Sequence, residues 1–191
     1  MSPKTSQQNE DIRQLSRTKI LDAAFGLIAR NGYESTSISQ IAKEAGVSKG
    51  LIYNYYESKE ELLITLVNKV MDEGGALFSE IDMNKPKEAL MMIFNWFFDD
   101  LTARPEYWKL LTEMMFKVEN FDFVHTIFTN KINEYILLLE QLLKGIGIPN
   151  AKEEARLLGA LFDGIGVHYL VMREDYPIAS MKKYVIDKYC A

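Results

Sequence analysis

Apolar side chains recur along this chain at three- and four-residue intervals, which is the spacing of amphipathic helices. In residues 16–31, Ile20, Ala23, Ala24, Leu27 and Ile28 form one stripe, and Gly32 follows where a helix end favours a left-handed residue. Ser37 precedes Ile38 and Ile41 with Gln40 three residues on, the spacing of a capping box. Ser58 and Glu61 repeat that signature ahead of Leu62, Leu63, Leu66, Val67 and Val70. Pro86 and Pro105 suit the first turn of a helix, where the missing N–H costs nothing. A further helix begins near Asp122 and is broken by Gly145, Gly147 and Pro149. Asn150 with Glu153 opens another, expected to run to about Glu174, and Pro177 starts a last one carrying Met181, Tyr184, Val185 and Tyr189. No segment alternates with period two between hairpin turns. The pattern predicts an all-α chain of about nine helices.

Composition narrows the class. Of 191 residues, 48% are hydrophobic and 26% charged, the balance of a globular protein with a real core. Cys190 is the only cysteine, so no intramolecular disulfide forms and a reducing, cytoplasmic setting is expected. Two histidines and one cysteine are too few for the common structural zinc sites, and no cofactor motif appears. The polar start, residues 1–12, reads as a disordered leader without the apolar core of an export signal. No stretch approaches about 20 apolar residues, so no membrane-spanning helix and no membrane partner are expected. The net charge of −5 argues at first against nucleic acid, but its distribution changes that picture. Residues 1–59 hold eight Lys and Arg against six Asp and Glu, whereas residues 60–191 hold fourteen against twenty-one. A mildly basic head precedes an acidic body.

Residues 37–56 meet the demands of a helix-turn-helix one by one. Ile38, Ile41 and Ala45 give the first helix an inner face, and Ala42 is small enough for a close helix crossing. Gly46 suits a turn at positive φ, Val47 plugs the angle, and Ser48 caps the second helix. There Ile52 and Tyr56 face inward while Lys49, Gly50, Tyr53 and Asn54 fall on the opposite face. A recognition helix presents such a face to base edges in the major groove. A plain helical hairpin with a polar outer face satisfies the same pattern.

Several segments decide between these readings by resemblance. Thr18-Lys19-Ile20-Leu21-Asp22-Ala23-Ala24, Gly32 through Ile38, Ile41-Ala42, Gly46-Val47-Ser48-Lys49-Gly50 and Ser58-Lys59-Glu60-Glu61-Leu62 are similar to the N-terminal signature of the TetR family of transcriptional regulators. The likeness covers about residues 16–63. Beyond it only length, helical content and a pair of C-terminal helices agree. The resemblance implies a homodimer with a DNA-binding head (residues 13–57) and an effector-binding, dimer-forming body (residues 58–191). It places Thr36 and Ser37 at phosphate, and Ser48, Lys49, Gly50, Tyr53, Asn54 and Tyr55 around the recognition helix. Lys59 falls on a phosphate-binding lysine. Leu51 stands where a Thr is common, and Tyr55-Tyr56 replaces a frequent His-Phe pair, so no relative's operator sequence carries over.

The body is rich in large, soft side chains, with fourteen aromatic or Met residues between Met91 and Phe128, Phe123 among them. Many serve as ordinary core. Met adapts to irregular cavities, and Phe94, Phe97, Trp108, Met114, Met115, Phe128 and His168 are candidates to line a pocket for a small apolar or aromatic effector. Asp99, Glu113 and His168 are the candidate polar contacts. The helix after Asn150 carries Leu157, Leu161, Ile165 and Met172, with Gly159, Gly164 and Gly166 interspersed; with Tyr184 these are candidates for the dimer interface. Glycines in a helix interior cost about 1 kcal/mol each, which close approach of another helix, from a partner or from the same chain, would offset.

Against an enzyme stands the lack of a Gly-rich phosphate loop, a metal-ligand cluster or a nucleophile–base pair. Asp99 and Asp100 are sequence neighbours, so on a helix they point apart. The expectation is a DNA-binding regulator, probed against the alternative of a helical small-molecule-binding protein or enzyme that does not touch DNA.

Overall fold

A computed structural model describes residues 6–72, 80–118 and 121–190, with the side chains of Ser6, Gln7, Asn9, Met71, Lys117, Val118 and Phe123 outside the described set. Among the described residues there are nine α-helices, one 3-10 turn and no strand: α1 (Ser6–Asn31), α2 (Ile38–Ala45), α3 (Lys49–Tyr53), α4 (Lys59–Asp72), α5 (Pro86–Ala103), α6 (Pro105–Val118), α7 (Asp122–Gly145), α8 (Ala151–Met172) and α9 (Ile178–Cys190). The all-α reading holds.

The chain divides into two compact units, Met1–Val70 with Leu110–His125, and Met71–Lys109 with Thr126–Ala191. These compact units do not follow the expected functional division at residue 58. Leu62, Leu63, Leu66 and Val67 of α4 are fully buried, and α4 groups with the head as far as Val70. In this first unit α1 packs on α2 and α2 on α3, around Ile20, Ile28, Ile41 and Ile52. Gly32, at φ 83°, ends α1 and donates its N–H to the Ile28 carbonyl. An ion pair of 2.8 Å between Asp22 and Lys69 ties α1 to α4.

In the second unit α9 packs on α5, and the core joins Leu90, Phe94 and Leu101 to Leu142, Leu158 and Val185. Glu154 of α8 accepts a hydrogen bond from the Tyr189 hydroxyl at 2.5 Å and one from Lys188 at 3.2 Å, fastening α9 to α8.

Four local expectations change. The first helix starts at Ser6, so the leader from there on is helical; its Gln, Glu, Asp and Arg residues extend a helix without any apolar stripe to announce it. Residues 1–5 lie outside the described set. Asn150 sits at φ 54° and its side chain caps nothing, because this turned backbone aims it away from the helix start. Glu61 receives the Ser58 cap, yet its own carboxylate reaches the N–H of Glu57 rather than that of Ser58. Finally, Ala151–Asp175 is long and apolar enough, by length and composition alone, to cross a membrane, and only 22% of its most apolar stretch is buried. The sequence reading missed it because Arg156 and Asp163 interrupt the apolar run.

Candidate nucleic-acid interface

The interface begins with capping. Ser37 Oγ accepts the N–H of Gln40 at 3.2 Å, and Gln40 Oε1 accepts the N–H of Ser37 at 2.7 Å, which closes the capping box of α2. Gly46 at φ 66° ends α2, and the N–H of Val47 returns to the Ala42 carbonyl at 2.9 Å. Two residues on, Ser48 Oγ accepts the N–H of Leu51 at 3.1 Å and starts α3. So short a helix has little stability of its own; caps on both sides and the buried Ile52 hold it.

With Ile52 and Tyr56 inside, Lys49, Gly50, Tyr53 and Asn54 are exposed together on the outer face of α3. The Lys49 ammonium lies 5.8 Å from the Tyr53 ring centroid, a pairing that leaves the ring edge and the charge free to meet a ligand. Tyr55 is half-buried, its ring 5.8 Å from the Arg17 guanidinium of α1. Burial pushes the Tyr56 phenol above its usual pKa, and the Arg17 side chain beside it acts in the opposite sense.

Three sequence candidates are occupied within the fold. Thr36 is buried and its hydroxyl donates to the Gly32 carbonyl at 2.8 Å, so it packs the α1–α2 turn. The Ser37 hydroxyl is engaged with Gln40. The Lys59 ammonium donates to the Tyr33 carbonyl at 2.9 Å and the Thr36 carbonyl at 3.1 Å, and lies 4.0 Å from the Tyr33 ring centroid. Lys59 pins the start of α4 to the turn that precedes α2. One of its three N–H groups remains for another acceptor. Sequence reasoning passed over Arg13 and Arg17, which line a cleft of about 230 Å3 with Glu10, Asn54 and Tyr55. The i, i+4 spacing of two arginines was the available signal.

The body candidates divide between the units. Met114, fully buried, and Met115 belong to the first. In the second, Phe97 packs at 4.6 Å on Phe162 and at 5.7 Å on Trp108, and Phe94 at 5.5 Å on Phe162. Phe128 is buried and His168 exposed, its ring 5.9 Å from Tyr176. Asp100 accepts from Trp108 Nε1 at 2.8 Å and from Arg104 at 2.8 and 2.9 Å, so it fixes the indole. Asp99 pairs with Lys182. Of the dimer candidates, Ile165 is buried and Leu161 partly buried, whereas Leu157, Met172 and Tyr184 are exposed.

Two short helices joined by a glycine turn, with one polar outer face, form a helix-turn-helix. Residues 20–66 match the family of bacterial regulatory proteins of the tetR type, which places the helix-turn-helix head in the TetR family of transcriptional regulators. The chain is 33% identical over 130 residues to the fatty acid metabolism regulator protein of Bacillus subtilis, an alignment covering 67% of this chain and 64%, less than two-thirds, of that relative. Among solved structures it resembles NalD, the secondary repressor of the MexAB-OprM multidrug efflux pump of Pseudomonas aeruginosa (TM-score 0.71, 23% identity, 91% of this chain and 94% of that one). It also resembles FadR of Bacillus subtilis in complex with stearoyl-CoA (TM-score 0.68, 22% identity, 91% and 97%). These likenesses establish the fold.

Proposed function

We propose that the chain is a repressor that binds a palindromic operator as a homodimer and releases it when an apolar small molecule occupies the body. The observation that carries the reading is the outer face of α3, where Lys49, Gly50, Tyr53 and Asn54 are exposed side by side on a helix capped by Ser48. Lys49 reads base edges, Tyr53, Asn54 and Tyr55 meet the backbone that walls the groove, and Ser48 stands at the helix entry.

Dimerisation is supported by α8 and α9. Leu157, Val167, Val171 and Met172 are 59%, 46%, 76% and 45% exposed along one helix, and Tyr184 of α9 is 67% exposed. Among the described residues, an added Cβ at Gly164, on the same face, would meet nothing within 4 Å, so packing within the chain does not account for this glycine. A second copy laid on this face covers the apolar stripe and meets Gly164. Arg156 and Asp163 in the same helix favour that partner over a bilayer, where each charge costs several kcal/mol.

For the effector, the relatives' names motivate acyl thioesters as the first class to test. The Phe94, Phe97, Phe162 and Trp108 rings would have to part to admit a chain, with Phe128 and His168 as further candidates. Ligand and DNA then oppose one another through the same body, each lowering affinity for the other by one factor. The test uses a labelled duplex that the protein itself selects from a random pool. Acyl-CoA compounds of graded length should release it and change the fluorescence of Trp96 or Trp108. Compounds that bind, by that fluorescence, yet leave DNA affinity untouched would refute the coupling.

A further inference from the structure

The cleft between the start of α1 and the end of α3 is built from charged and polar groups alone: Glu10, Arg13, Arg17, Asn54 and Tyr55. Its volume of about 230 Å3 is that of a small polyatomic group with its waters. Arg13 and Arg17 are one helical turn apart and point their guanidinium groups to the same side of α1. Among the described residues no carboxylate lies within ion-pair distance of either. Arg17 is held in place, its guanidinium against the Tyr55 ring at 5.8 Å and beside the Tyr56 side chain. Glu10 is engaged by Gln14 Nε2 at 3.0 Å. Two guanidinium groups against one carboxylate leave the cleft a net positive charge, and guanidinium forks match the oxygens of a phosphate.

Position decides which phosphate. Asn54 caps the C-terminal end of α3, so the cleft adjoins the helix whose outer face the proposed function assigns to base reading. At the end of a recognition helix the nearest part of a duplex is the backbone that walls the groove, and a phosphate projects from it into a concave seat.

Resting on that DNA-binding reading, we propose that Arg13, Arg17, Asn54 and Tyr55 form a seat for one backbone phosphodiester of the duplex, flanking the recognition helix. The seat contributes affinity without sequence preference, and Glu10 at its rim weakens it.

The test measures binding of the full-length protein to a random-sequence duplex and to its selected duplex across a salt series. Each neutralised phosphate contributes about 0.9 to the slope of log affinity against log salt. The double variant Arg13→Ala/Arg17→Ala should lower that slope by about 0.9 per protomer on both duplexes and leave the ratio between them unchanged. Arg13→Ala alone, which spares the Arg17 contacts with Tyr55 and Tyr56, should weaken both duplexes in parallel, and Glu10→Gln should tighten both. Inorganic phosphate, titrated against thermal unfolding, should act no differently on wild type and double variant at concentrations where the duplex distinguishes them. An intact chain that binds duplex with a slope unmoved by the arginine variants would overturn the seat and leave the DNA-binding reading standing. A change in the ratio between duplexes would make these arginines base readers, and a phosphate effect as large as the duplex effect would make the cleft an anion site unrelated to DNA. Either outcome overturns the proposal. Failure of the intact chain to bind any duplex would overturn both readings.

Discussion

Replacing Lys59 by Met removes an ammonium while keeping most of the stem. The ammonium makes two hydrogen bonds, 2.9 Å to the Tyr33 carbonyl and 3.1 Å to that of Thr36, and sits 4.0 Å from the Tyr33 ring centroid. A hydrogen bond to a charged group contributes about 1.5–3 kcal/mol when well buried, and a cation–π contact at a partly exposed site about 0.5–1 kcal/mol. Lys59 is only half-buried, so water replaces part of what is lost and the sum shrinks to about 2 kcal/mol. For a chain of this size the thermal midpoint falls by about 2–4 °C per kcal/mol, or about 4–8 °C here. Lys49→Met is the matched control, because among the described residues its ammonium has only the 5.8 Å contact with Tyr53; a change within about 0.5 kcal/mol is expected. Calorimetry on both variants reads the difference. DNA binding by Lys59→Met should weaken through a loosened α1–α2 turn, with a slope change smaller than one full phosphate. Equal midpoints for the two variants, with a full-phosphate loss of slope for Lys59→Met, would refute the pin and return Lys59 to a backbone-contact role.

Three further outcomes follow from the geometry. Val171→Asp places a charge on the most exposed apolar position of α8 and should convert the proposed dimer to monomer in sedimentation at micromolar concentration, with helical content retained; an unchanged mass would remove α8 from the proposed interface. The hydrogen bond from Tyr189, with that of Lys188, holds the Glu154 carboxyl below its ordinary value of 4.5. Its stabilisation is therefore present above that pH and lost as pH falls through the lower folded value, so Glu154→Gln should flatten the acid limb of a urea-stability profile, and an unchanged limb would contradict the sign. Lys49→Ala should cost about 1–3 kcal/mol on the selected duplex and relax preference at one base position, whereas equal losses on selected and random duplex would deny it base contact.

How legible each feature was depended on the range of the interactions that build it. The caps at Ser37 and Ser48, the turn at Gly46 and the inward Ile52 are settled within four residues, so the helix-turn-helix could be read along the chain. The Lys59 bonds span 26 and 23 residues, and nothing near Lys59 in sequence announces them. The cleft at Arg13 and Arg17 needs Asn54 and Tyr55 from another helix. The start of α1 lacks an apolar stripe because its polar residues extend a helix that is anchored further along, from Ile20 on. Among the body aromatics a run of Phe and Trp reads the same whether the rings face a ligand or one another. Here Phe94, Phe97, Phe162 and Trp108 face one another.

The central claim, a dimer that reads DNA with the outer face of α3, is tested most directly by letting the full-length protein choose from a random duplex pool. Two heads on a two-fold axis must enter successive major grooves about 34–36 Å apart, or about 10 base pairs between half-site centres. The account predicts recovery of an inverted repeat with that spacing, altered at one symmetric pair of positions by Lys49→Ala. Recovery of no common sequence, or of one without two-fold symmetry, would contradict it.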